Sequence, residues 1–141
     1  MSLQICNTTR QQLPESRIAR VIEAVLDNEG CTADSIDAVY CGNHMIRRIN
    51  REFLQHDYVT DTITFRYNEG LEIEGEFYIS LDVIESNAVR FGVTFEDELL
   101  RVTIHSVLHL VGYNDSTADE RSGMSRREDF YLQLLKAEGS V

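Results

Sequence analysis

Basic charge is scarce in this chain of 141 residues: 13 lysines and arginines stand against 24 aspartates and glutamates, for a net charge of −11 and a pI near 4.7. Such a surface repels a polyphosphate as a whole, so composition alone argues against non-specific nucleic-acid binding. Proline is rarer still, with Pro14 alone, and no stretch is repetitive, of low complexity or rich in serine and glycine. Nothing therefore marks a linker. With 43% hydrophobic content the chain suffices for one sizeable core and reads as a single domain over residues 1–141. There is no apolar run of about eighteen residues and no charged start with the apolar core of a signal peptide. The expectation is a soluble, cytoplasmic protein without a membrane partner. Cys6, Cys31 and Cys41 are odd in number and form no C-x-x-C pair. That excludes a disulfide framework and leaves reduced, buried thiols.

What is present is a clear alternation of periodicities. Leu3 to Cys6 suits an edge strand, and Pro14 opens a helix whose stripe of Ile18, Val21, Ile22, Val25 and Leu26 ends at Gly30. Ile36 to Cys41 reads as a strand. Asn43 is placed to cap a helix that turns Ile46, Ile49 and Phe53 inward and Arg47, Arg48 and Arg51 elsewhere. Thr62 to Tyr67 and Glu76 to Ser80, joined by a polar turn with Gly70, predict an antiparallel hairpin. Ser80 is expected to cap a helix bearing Val83, Ile84, Ala88 and Phe91 and ending at Gly92, and Thr94 to cap the next. That next helix places Glu96, Asp97 and Glu98 in its first turn, where the helix dipole favours them, and is otherwise rich in apolar residues. Thr117 to Glu120 has capping-box spacing and starts a last helix expected to pack Phe130, Leu134 and Leu135. The order β-α-β-α-β-β-α-α-α fits an α/β (α+β) fold with one small mixed sheet covered by helices.

The chemistry concentrates in His105-Ser-Val-Leu-His109-Leu-Val-Gly112-Tyr-Asn-Asp115. Residues i and i+4 share a helix face, so the two imidazoles lie together. Gly112 can end the helix in the left-handed region and let the chain return Asp115 toward them. Two histidines and a carboxylate suit Zn²⁺ and leave a fourth position for water, which indicates catalysis rather than scaffolding. Two histidines at this spacing alone would be ordinary helix residues; the glycine and third ligand tip the reading to metal. Asn114 is the alternative ligand next door. The spacing is that of H-E-x-x-H-x-x-G-x-x-H on a zincin-like metal helix, with Ser106 where the glutamate base would stand and Asp115 for the third histidine. A serine cannot take a proton from metal-bound water near neutral pH. Peptide hydrolysis by the usual route is therefore disfavoured.

The same segment resembles the H-G-x-L-H-L-x-G-Y-D-H signature of the YbeY family, bacterial metal-dependent endoribonucleases and ribosomal RNA maturation factors. Ile49-Asn50 with Phe53 and Thr60-Asp61-Thr62-Ile63-Thr64-Phe65 are similar to its L-N-x-x-Y-R…T-D-V-L-S-F; Gly75 to Ser80 resembles its G-D-I-x-I-S strand, and Met124 with Glu128 its M-x-x-x-E. The likeness runs in the family's order over roughly residues 40 to 132. Two positions depart from it. Asp115 replaces the family's third histidine, which keeps a ligand and adds negative charge, making bound water less acidic. Leu54 falls where the family has an arginine, and leucine cannot hold phosphate. Arg51 and Arg66 are the nearest substitutes, with solvated surface arginines as the alternative reading.

The resemblance implies a single-strand-specific endoribonuclease, with one zinc or other divalent transition metal per chain. It would act in small-subunit ribosomal RNA 3′-end maturation and ribosome quality control. It also implies single-stranded ribosomal RNA, a small ribosomal subunit protein and the ribosome-assembly GTPase Era as partners. His105, His109 and Asp115 would be the ligands. Without a glutamate base, the RNA 2′-hydroxyl would serve as nucleophile, with His56, in the family-like loop, as candidate proton acceptor. Asp61 would orient a ligand or substrate, although a carboxylate at a strand start serves equally as a local hydrogen-bond acceptor. A rim of Arg47, Arg48, Arg51 and Arg66 could survive the global charge, since charges beyond about 10 Å are screened. Two rivals remain: a metallopeptidase-like hydrolase, which lacks its base, and a non-catalytic ribosome-assembly adaptor, which Leu54 and the acidic balance favour.

Overall fold

The computed structural model describes residues 2–54 and 60–139. Among them lie β1 (Leu3–Asn7), α1 (Glu15–Asn28), β2 (Thr32–Cys41), α2 (Asn43–Leu54), β3 (Thr62–Arg66), β4 (Glu72–Ser80), α3 (Leu81–Phe91), α4 (Phe95–Leu110) and α5 (Ala118–Ala137), in the order that periodicity predicts. The four strands form one sheet in the order β1-β2-β4-β3. β1, β2 and β4 run parallel, and β3 pairs antiparallel with β4 as the hairpin expected. Parallel neighbours need crossovers, which α1 supplies between β1 and β2 and α2 with β3 supplies between β2 and β4.

Alternation along the strands sets the two layers. Ile36, Ala38 and Tyr40 of β2 and Ile73, Phe77 and Ile79 of β4 face the main core with the apolar stripe of α1 and most of α4. Cys41 and Ile63 face the other way, against Ile46 and Ile49 of α2. Helix α4 touches α1, α3, α5, β3 and β4. Ten of its 16 residues are buried, so its orientation is set from several sides at once.

Two contacts fix the C-terminal end of α4 against the hairpin. A Cβ on Gly75 would stand 2.5 Å from the Phe65 carbonyl oxygen and 2.9 Å from Leu110 Cδ2, so glycine is what lets α4 approach the sheet there. Arg66 then donates from Nη1 to the Leu110 carbonyl at 2.6 Å, satisfying one of the acceptors that a helix end leaves open.

The caps at Ser80 and Thr94 and the capping box at Thr117 and Glu120 form as expected. Asn43 does not cap: it lies inside α2, its backbone N–H donates to Asp82 Oδ2, and its side-chain oxygen accepts from Ser80 Oγ. Phe53 and Phe130, expected to pack inward, are 67% and 42% exposed, and Phe91, borne by α3 as expected, is 55% exposed. On α5 Leu135 is buried and Leu134 half-buried against the core as expected, and Met124, Tyr131 and Leu132 take the other inward positions. β2 and β4 start earlier than their apolar cores, because the parallel ladder pairs Thr32 with Glu72 and the Asn68 side chain donates to the Glu72 carbonyl and accepts from the Glu74 N–H. Cys31 and Cys41 are buried and Cys6 half-buried, all as free thiols. Among the described residues, no helix is long and apolar enough to cross a membrane.

Candidate metal centre

Helix α4 starts where Thr94 Oγ1 accepts from the Asp97 N–H at 3.0 Å. Three turns later it places His105 and His109 side by side, ring centroids 4.6 Å apart. Beyond Leu110 the chain reverses: Gly112 takes φ 113°, a region costly for any residue with a side chain, and the Tyr113 N–H returns to the Leu108 carbonyl at 3.0 Å. This reversal carries Asp115 back over the two rings. His105 Nε2 and His109 Nε2 lie 3.1 Å apart, and Asp115 Oδ2 is 3.3 Å from the first and 3.2 Å from the second.

The other ring nitrogens decide what that triangle can hold. His105 Nδ1–H donates to Glu128 Oε2 at 2.7 Å, and His109 Nδ1–H donates to the Tyr113 carbonyl at 3.0 Å. With each Nδ1 acting as donor, both neutral rings turn a lone pair inward at Nε2. Two nitrogen lone pairs and a carboxylate oxygen then converge with no donor among them, an arrangement that calls for a cation. Ligands about 2.0–2.1 Å from a tetrahedral ion sit roughly 3.3–3.4 Å apart, against about 2.9 Å around a small octahedral one. Two of the three edges, 3.2 and 3.3 Å, lie nearer the tetrahedral value and the 3.1 Å edge falls between the two; the two-imidazole, one-carboxylate set itself suits a transition metal rather than Mg²⁺ or Ca²⁺. The residues fit the metal. Burial alone would lower the His105 pKa, but the hydrogen bond to Glu128 and the charges of Glu128, Asp61 and Asp115 outweigh it and hold the pKa above the ordinary imidazole value. The same negative field favours a metal cation, for which the proton competes.

The triangle opens into a cleft of about 520 Å³ walled by α2 and β3 and by the 112–115 turn. Asp61 lines it, with its backbone carbonyl accepting the Ser80 N–H at 2.9 Å, but its carboxylate stands outside the three converging atoms. Arg66 also lines the cleft, yet its guanidinium is knitted to the Leu110 and Gly70 carbonyls and to Asn68 Oδ1. It is neither a solvated arginine nor a freely swinging one. Arg51 is exposed and outside the lining, as are Arg47 and Arg48, whereas Leu54 and Asn114 line the cleft. Thr64 lines it as well, and its buried Oγ1 has no hydrogen-bond partner among the described residues. His56 lies outside the described residues.

Ser106 is fully buried; its Oγ donates to the Val102 carbonyl and meets Thr62 Oγ1, both at 2.8 Å, so it ties α4 to β3 and has no basic role at the centre. Sequence reasoning assigned no role to Glu128 and overlooked the Tyr113 carbonyl. The i, i+4 pairing of the histidines hints at partners for their Nδ1 atoms, but nothing local says that a carboxylate 23 residues away is one of them.

The model of the family described as Endoribonuclease YbeY matches residues 4–136. Proteins named Endoribonuclease YbeY from Chlorobaculum tepidum and Chlorobaculum parvum are 67% and 66% identical, each over 96% of this chain and over 99% and 96% of their own lengths. The solution structure of TM1509 from Thermotoga maritima superposes with a TM-score of 0.67 at 24% identity, covering 99% of this chain and 95% of its own, a likeness of fold.

Proposed function

The chain belongs to the YbeY family of endoribonucleases, which are hydrolases; on that premise we propose that it is a metal-dependent, single-strand-specific endoribonuclease of small-subunit ribosomal RNA 3′-end maturation and ribosome quality control. It would work in the cytoplasm as one domain over residues 1–141. His105, His109 and Asp115 hold one divalent transition metal, Zn²⁺ by donor chemistry. When bound, the metal supplies Lewis-acid stabilisation of charge on a phosphate and lowers the pKa of a water. The triangle of inward-facing lone pairs carries this reading.

The protein's own groups divide the remaining work. The buried, spoken-for Ser106 provides no base, so the 2′-hydroxyl of the RNA is the nucleophile: it gives its proton to His56 and bonds to the adjacent phosphorus as the P–O5′ bond breaks, the 5′-oxygen leaving with a proton from water. Asp61, on the cleft wall, orients substrate or the His105 side of the centre. Arg66 contributes positive charge to the cleft from its fixed position, and Arg51 reaches the RNA only outside the pocket wall. Net charge of −11 then restricts binding to RNA presented in a specific complex, with a small ribosomal subunit protein and the GTPase Era as partners.

Metal analysis of the purified protein combined with cleavage of single-stranded RNA tests the reading. The expected result is about one metal per chain, with binding and cleavage both lost in a His105→Ala, His109→Ala double variant. Cleavage that survives loss of both histidines would overturn it. Leu54 in the cleft wall favours a second reading, a non-catalytic assembly adaptor. Leu54→Arg is expected to raise RNA affinity and steepen its salt dependence. No gain from Leu54→Arg, together with no loss from Arg51→Ala or Arg66→Ala, would favour the adaptor.

A further inference from the structure

Glu29 ends α1, far in sequence from any ligand, and its carboxylate is buried to 13% exposure. Three donors converge on it. Tyr113 Oη donates to Oε1 at 2.8 Å, Arg127 Nη2 donates to Oε2 at 2.6 Å, and Tyr131 Oη donates to the same Oε2. We propose that Glu29 is a positioning residue for the metal ligands His109 and Asp115, acting through Tyr113; the proposal rests on the metal reading above.

The connection is continuous. Tyr113 is held at its ring tip by Glu29, at its N–H by the Leu108 carbonyl, and at its own carbonyl by His109 Nδ1. A residue tied at these three points keeps little torsional freedom, so the direction of its carbonyl is set. That direction fixes the plane and tautomer of the His109 ring, and with it where the Nε2 lone pair aims. Asp115 follows two residues later in the same turn, so its approach to the triangle depends on the same anchor.

Joining α1 to α5 does not require this arrangement. Burying a carboxylate is costly unless it is fully bonded, and apolar side chains of similar volume would bind two helices as well or better. What a carboxylate adds is direction: each oxygen accepts along defined lines, so the tyrosine tip is placed rather than merely packed. Burial would push the Glu29 carboxyl up, but the hydrogen bonds from Tyr131, Arg127 and Tyr113 and the Arg127 charge outweigh it and hold the pKa below the ordinary value. The anchor is therefore ionised at neutral pH.

The test is Zn²⁺ affinity of the full chain by competition with a chromophoric chelator, at a temperature where circular dichroism shows each metal-free protein folded. Wild type, His109→Ala, Tyr113→Phe and Glu29→Gln are compared. Tyr113→Phe deletes one oxygen and keeps ring and backbone, so it carries the test even if Glu29→Gln fails to fold. Tyr113→Phe should weaken Zn²⁺ binding about tenfold, the lower end for partners that orient a ligand. A merely structural cluster would lower the melting temperature and leave affinity unchanged, and that result overturns the proposal. Wild type that binds Zn²⁺ in a His109-dependent manner while Tyr113→Phe binds equally well refutes this inference alone. Wild type that binds no Zn²⁺ overturns the metal reading and this proposal with it.

Discussion

His105 and His109 stand one turn apart on α4 and present the same atom to the same point, yet they are braced in different ways. His105 is held by a nearly buried carboxylate, Glu128, which itself accepts from Arg101 Nη1 at 3.0 Å. His109 is held by a neutral carbonyl, that of Tyr113, steered from a distance by Glu29. A carboxylate partner raises the basicity of its imidazole and adds charge to the centre, whereas a neutral carbonyl adds no net charge and contributes mainly direction. One histidine is thus tuned electrostatically between two packed helices. The other is tuned geometrically by the turn that also delivers Asp115.

Removing the shared element should have the largest effect. Alanine at either histidine deletes a proposed ligand and should weaken Zn²⁺ binding beyond the roughly 100-fold upper end for an outer partner; isothermal titration of each variant measures it. Next comes the charged brace. Glu128→Gln should cost about 10–100-fold in Zn²⁺ affinity, more than Tyr113→Phe, because it removes charge as well as orientation. Equal losses in a chelator competition would erase the distinction between the two braces.

The distant anchor should also show itself in stability. Because the Glu29 pKa is lowered on folding, its contribution is fully present above the unfolded carboxylate value and is lost as pH falls through the folded one. The melting-temperature gap between wild type and Glu29→Gln should therefore be widest near neutral pH and shrink below about pH 4. A gap independent of pH would mean that Glu29 contributes by packing. The smallest expected effect is electrostatic. Asp61→Asn removes one of the charges that raise the His105 pKa, so in the metal-free protein that ring should titrate at lower pH, as read from its proton NMR signals. An upward move would show that Asp61 does not act on His105.

How much of this was legible in the sequence follows from distance along the chain. The three proposed ligands lie on one helix and its terminating turn, so helical spacing and a left-handed glycine were enough to bring them together. The braces depend on how α1 and α5 pack against α4: Tyr113 and Glu29 are 84 residues apart, and no local pattern encodes their meeting. Arg66 read as a phosphate candidate because its tie to the end of α4 is likewise a product of packing. The misplaced phenylalanines have a related cause. Periodicity gives the direction of a side chain but not where the neighbouring layer stops, and Phe53, in the last turn of α2, meets Phe65 in an edge contact at 6.2 Å between ring centroids and is 67% exposed. The cleft-lining position of Leu54 was legible because it lies on the same helix as the family-like asparagine, Asn50.

The central claim is that two imidazoles direct Nε2 lone pairs, with Asp115, at one cation while their Nδ1 protons stay on protein acceptors. Nitrogen NMR of histidine-labelled protein titrated with Zn²⁺ tests it most directly. The prediction is saturation at about one Zn²⁺ per chain, with coordination shifts at Nε2 of both His105 and His109 and retained Nδ1–H signals. Coordination through either Nδ1, or no shift at saturating metal, would contradict it.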